Sequence, residues 1–152
     1  MPADSCSEYD FVMSQMLTPG ESGRFQLEHG VIKAGTVLDY YERTGRIVKR
    51  NCEFDYPVVI LSEDGKTWMS DAPLEVESAM SAACVAKGDC LIGGLGIGLL
   101  PTLIRSAVDS IDIVEVNQDV IDLVYLQIAS AKTLLIHDDI YHYLDTADRK
   151  YD

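Results

Sequence analysis

The apolar positions keep one rhythm up to about residue 71 and another beyond it. In the first part Phe25-Gln-Leu-Glu-His and Val31-Ile-Lys-Ala-Gly-Thr-Val-Leu alternate apolar with polar side chains, which predicts two strands joined at Gly30. Arg46-Ile-Val-Lys is a further short strand. Pro57-Val-Val-Ile-Leu-Ser and Lys66-Thr-Trp-Met-Ser flank Asp64-Gly65, and Asp-Gly between apolar runs is a strong hairpin signal. Trp68 is read as a packing residue rather than a ligand platform. Residues 1–23 read as a polar leader with a short apolar patch, Phe11 to Leu17, closed by Pro19-Gly20.

Past residue 71 the spacing becomes helical. Asp71 is placed to cap a helix over 73–87, with Pro73 in its first turn and Glu75 and Glu77 near the positive end of its dipole. Leu74, Met80, Ala83 and Cys84 recur at helical spacing, and Gly88 ends the segment. Strands are then expected at 90–93, 111–116 and 133–137, alternating with helices at 99–107, 119–130 and 140–144. Such alternation predicts parallel βαβ units with right-handed crossovers. The expected fold is α/β: a Rossmann-like parallel half-sheet of three βα units in residues 72–152, preceded by a small strand-rich region in residues 1–71.

The first βα junction draws most of the chemical interest. Gly93, Gly94, Gly96 and Gly98 follow a strand and precede a helix. Glycine lets a backbone turn sharply and approach a ligand closely, with helix N–H groups facing it. The dinucleotide fingerprint G-x-G-x-x-G does not fit: counted from Gly94 it needs glycine where Leu99 stands, and counted from Gly96 where Pro101 stands. The spacing is G-x-G-x-G, which disfavours a nicotinamide oxidoreductase. Glu115 sits near the end of the second strand, where a carboxylate can accept from both hydroxyls of a ribose. Val116 would flank the adenine. After the third strand Asp139 is placed either to accept from an adenine amino group, with Ile140 on the ring, or to cap the helix that follows. His137, Asp138, Asp139 and His142 do not have standard zinc spacing.

Composition narrows the partners. A formal net charge of −13 lacks the basic footprint that nucleic acid requires, and suits either a cationic substrate or plain solubility. Cys6, Cys52, Cys84 and Cys90 show no CxxC pairing and read as reduced thiols of a cytoplasmic protein. The N-terminus lacks the pattern of a secretion signal. The longest nearly uncharged run, Cys90 to Ile104, is interrupted by glycines and a proline, so no membrane span is expected.

These residues together resemble the class I S-adenosylmethionine-dependent methyltransferase superfamily, and within it spermidine synthase-like proteins. The likeness spans 88–152 and rests on Leu91-Ile-Gly-Gly-Leu-Gly-Ile-Gly, on Val108-Asp-Ser-Ile-Asp-Ile-Val-Glu-Val-Asn, and on Asp138-Asp-Ile-Tyr-His-Tyr-Leu followed by Lys150-Tyr-Asp. It implies S-adenosylmethionine or its decarboxylated analogue as cofactor. Gly93, Gly94, Leu95, Gly96 and Gly98 would hold its methionine and ribose portion, Glu115 and Val116 the nucleoside, and Asp139 and Ile140 the adenine. It also implies transfer of a methyl or aminopropyl group to a small molecule such as an amine. Ile97 stands where aminopropyltransferases usually have an aspartate, and the glutamine usual after the Asp-Gly turn is not evident near Trp68. The family's acidic catalytic motif would lie beyond Asp152, so a non-catalytic, truncated nucleoside-binding or structural role is the alternative. A half-sheet ordered 3-2-1 would leave its first strand as an open edge, so a homo-oligomer, or cover by the N-terminal strands, is expected.

Overall fold

A computed structural model describes residues 12–41 and 44–152. The leader residues ahead of Val12, Phe11 and Cys6 among them, lie outside the described residues. The first helix, α1 (Val12–Met16), leads into β1 (Gly20–Ser22), β2 (Phe25–Ile32), β3 (Val37–Tyr41), β4 (Ile47–Asn51), β5 (Tyr56–Glu63) and β6 (Lys66–Ser70). An antiparallel sheet has the order β1-β2-β5-β6, and β3 and β4 form a separate two-stranded ribbon. Asp64 and Gly65, both at positive φ, make the tight turn expected between β5 and β6. Gly30 does not divide two strands: β2 runs through it, because Ile60 and Val58 of β5 fill the space above its bare Cα. Trp68 is largely exposed, its ring standing nearly perpendicular to that of Phe25 with centroids 5.6 Å apart.

The remainder is α2 (Pro73–Ala83), β7 (Asp89–Gly93), α3 (Leu99–Ile104), β8 (Ser110–Glu115), α4 (Gln118–Ile128), β9 (Thr133–His137) and α5 (Ile140–Thr146). β7, β8 and β9 form a parallel sheet in that order, each βα unit feeding the next. The structure is thus mixed α/β, with a three-stranded parallel sheet preceded by antiparallel sheets. Three helices end before their patterns predict, α4 at Ile128 among them, whereas α5 runs two residues further, to Thr146. α2 stops at Ala83 rather than Lys87, α3 at Ile104 rather than Ala107, and α4 starts at Gln118 because Asn117 takes the cap, accepting from the Asp119 and Val120 amides. The N-terminal strands do not cover β7, which has β8 as its one strand partner among the described residues.

One apolar core joins both parts. Leu27 and Leu61 of the antiparallel sheet share it with Ile97, Ile111, Ile113 and Val124. Each such aliphatic side chain contributes roughly 1.5–3 kcal/mol by leaving water. β8 is buried along nearly its whole length, as a strand covered on both faces should be, and yet it contains Asp112 at 2% exposure. The chain's last residues resolve that conflict. Arg149 Nη1 donates to both Asp112 carboxylate oxygens at 3.1 and 2.9 Å, and the Tyr151 hydroxyl donates at 2.7 Å. Arg149 Nη2 reaches Ser110 Oγ at 2.7 Å, and the Asp152 amide donates to the Asp89 carbonyl at 2.9 Å. Burial, with the hydroxyl bonded to Tyr143 and Asp112, pushes the Tyr151 phenol well above its ordinary value.

Candidate functional site

The carboxyl ends of β7, β8 and β9 bring the predicted residues together. Gly93 ends β7, and the Gly94 amide extends the ladder by donating to the Val114 carbonyl at 2.8 Å. The turn that follows holds Gly94, Gly96 and Gly98 at φ of +95°, +52° and +74°. Side chains are disfavoured at such angles, so glycine is demanded by backbone geometry here. Surroundings differ from one glycine to the next. A Cβ on Gly98 would meet Ile128 at 3.0 Å, one on Gly93 would meet Ile140 Cγ1 at 3.0 Å, and one on Gly96 would collide with Met69 Sδ of β6. Gly94 is different: nothing lies within 4 Å of the position its Cβ would take. Packing accounts for three of these glycines, and open space lies over the fourth.

Glu115 faces the turn. Its Oε2 accepts from the buried Leu95 amide at 2.8 Å and its Oε1 from the Asn117 amide at 2.9 Å, with the residue 9% exposed. The carboxylate therefore ties the glycine turn to the end of β8. Each oxygen retains a second acceptor position. Val116 follows at 63% exposure, an apolar side chain displayed at the mouth, and its carbonyl lies 3.0 Å from His137 Nε2. Val116 stands just past the end of β8, one residue short of the strand predicted through it.

On the third strand's side, Asp139 caps α5, its Oδ1 accepting from the Tyr141 and His142 amides at 2.8 and 3.2 Å. Asp139 remains exposed, while Ile140 lies against Gly93. His142 Nδ1 pairs with Asp138 at 2.8 Å, which raises the imidazole's pKa and lowers the carboxyl's. Among the described residues no group of three or more His, Cys, Asp or Glu side chains is placed to hold a metal ion.

Asp71 is not the helix cap that its position suggests. Ala72 occupies the N-cap without a side-chain bond, and Asp71 turns inward at 1% exposure to accept the Val59 amide at 2.6 Å. Burial pushes its carboxyl up to about 6 from an ordinary 3.8, and burial also raises the half-buried Glu75. The sign follows. The folded chain binds this proton more tightly than the unfolded one, so the contribution is full below about pH 4 and is lost as pH rises through about 6. Asp71→Asn keeps the acceptor for Val59 and removes this slope, which at ~1.4 kcal/mol per pH unit amounts to roughly 3 kcal/mol. Urea denaturation of both proteins at pH 4 and pH 7 checks it. Equal pH dependence in the two would disprove the assignment.

Met69 is the residue of this region that reading the sequence missed: it reaches the glycine turn from a different sheet, and no spacing rule links positions 69 and 96. Among the described residues, no helix is long and apolar enough to cross a membrane. No family model matches the chain, and no curated protein matches it either.

Proposed function

We propose that the mouth formed by Gly94, Glu115, Val116 and Ile140 binds the nucleoside of S-adenosylmethionine or its decarboxylated analogue, within a Rossmann-like arrangement of β7, β8 and β9. The observation behind this reading is convergence. The Glu115 carboxylate bonds to the glycine turn itself, beside a left-handed glycine with open space over it. The donor set fits a nucleoside: carboxylate acceptors for ribose hydroxyls, the exposed Val116 for one face of a base, and bare backbone for close approach. When bound, the sulfonium supplies an electrophilic carbon for transfer to a small nucleophile such as an amine. The chain's own part is to position and to exclude water. We place it in the cytoplasm, as a homo-oligomer that acts on a small molecule, with neither nucleic acid nor membrane as partner.

Binding without turnover is the second reading, and Asp71 favours it. Deprotonating an amine needs a carboxylate open to it, and Asp71, which precedes the glycine turn in the chain, is buried and committed to the Val59 amide.

Thermal unfolding with S-adenosylmethionine or methylthioadenosine tests the proposal. A hundredfold excess over Kd stabilises a site by about 2.7 kcal/mol, a shift of several degrees. Gly94→Ala introduces a methyl group where there is room for it but at an unfavourable φ, so it costs about 1 kcal/mol of stability while obstructing the ligand's approach. The variant should fold and lose the ligand-induced shift. Absence of any shift in the unaltered chain at millimolar ligand would end the nucleoside reading.

A further inference from the structure

Little holds α5 in place. Its 7 residues are too few for a helix to persist in water by itself. Ile140 and Tyr143, three positions apart on one face, are its two partly covered residues, and the others are exposed. Ile140 lies against Gly93, its Cγ1 3.0 Å from the position a Cβ would take there. Among the described residues, the Tyr143 hydroxyl is the one α5 group that hydrogen-bonds outside residues 138–147, at 2.5 Å from the Tyr151 hydroxyl.

The bonding beyond Tyr151 fixes the direction of the protons. Tyr151 gives its single O–H to the Asp112 carboxylate at 2.7 Å, so its oxygen accepts and Tyr143 donates. The series ends on a buried carboxylate that Arg149 also holds, and hydrogen bonds in such a series strengthen one another. One turn of α5 is thereby pinned to the middle of β8, while the turn before it sets Ile140 on the last residue of β7. We infer that Tyr143 is a positioning residue of the mouth: anchored through Tyr151 on Asp112, it keeps Ile140 where the nucleoside meets it. Asp112 stands three residues before Glu115 on β8, about 10 Å along the strand, so it does not reach that ligand itself. The inference rests on the nucleoside reading and adds to it a determinant that lies outside the mouth.

Calorimetric titration of the full chain with methylthioadenosine, well below the melting temperature, tests it. Kd rises as the docked fraction of α5 falls. Tyr143→Phe keeps the ring, loses one hydrogen bond and should raise Kd by roughly 3- to 10-fold. Tyr151→Phe breaks the same link and should raise Kd by the same factor, and the double variant by no more. Stability should not follow affinity. Tyr151→Phe takes a donor from buried Asp112 and lowers the urea midpoint further, whereas Tyr143→Phe leaves that bond in place. Without ligand, the Tyr143 and Ala147 amides, bonded to the Asp139 and Tyr143 carbonyls, should exchange faster in Tyr143→Phe while Ile113 in β8 is unchanged. An unchanged Kd, unchanged exchange in α5, or a loss of affinity that tracks the loss of stability overturns the inference and leaves the nucleoside reading standing. If the unaltered chain takes up no methylthioadenosine, the nucleoside reading fails and the inference falls with it.

Discussion

Glu115→Ala lowers the unfolding free energy by about 2–4 kcal/mol, because it leaves the buried Leu95 amide without its acceptor, at about 1–3 kcal/mol, and the part-buried Asn117 amide at less. The loss is local before it is global. The glycine turn has few other ties to the end of β8, the Gly94 amide on the Val114 carbonyl being one, so hydrogen exchange at Leu95 should accelerate more than in the core of β8. Glu115→Gln has an intermediate effect: its carbonyl oxygen can serve one amide, while its NH2 group confronts the other. Chemical denaturation of the three proteins ranks them unaltered, Gln, Ala. If Ala matches the unaltered chain, the carboxylate does not hold the turn, and the site geometry loses its anchor.

The second large effect lies at the other end of the sheet. Arg149→Ala strips the guanidinium from Asp112 and leaves a carboxylate buried in the middle of a parallel strand, a defect worth about 3–5 kcal/mol. Tyr151→Phe removes one hydrogen bond of the same group and costs about 1 kcal/mol or somewhat more, since the acceptor is charged. A double change, Asp112→Val with Arg149→Met, deletes both charges together and recovers most of the loss, because the penalty belongs to the unpaired ion rather than to the missing bridge. Equilibrium unfolding of the single and double variants forms a cycle. Strict additivity would show that the two residues do not act as a pair.

Local pattern carried the reading of the parallel sheet. Apolar runs closed by glycine or by a polar turn mark β7, β8 and β9 to within about a residue, although β8 alone of the three is buried along nearly its whole length. The Asp64-Gly65 turn was as plain, because few residues other than glycine adopt the required φ. Misreadings occurred where a distant partner outweighed a local preference. Gly30 looked like a joint, yet Ile60 and Val58 occupy the space it frees and the strand continues. Asp71 had the position of a cap, but the Val59 amide drew it inward. Asp112 drew no attention in the sequence, because its partners Arg149 and Tyr151 lie 37 and 39 positions away and alternation does not encode pairs. At the site, the glycine turn and Glu115 were legible as chemistry. The two amides that Glu115 accepts were not, since backbone donors leave no mark in a sequence.

The continuous core determines how the molecule can be divided. Phe25, Leu27, Val59 and Leu61 on one side of the Asp71–Ala72 junction bury the same volume as Ile97, Leu99, Ile111 and Ile113 on the other. Severed there, each fragment would show water the side chains its counterpart now shields, and both would be prone to clump rather than fold. Fusion partners, cleavage sites and library crossovers therefore belong in the Gly45 or Asp64-Gly65 turns, where the backbone is exposed and no neighbour lies within 4 Å of either glycine's missing side chain.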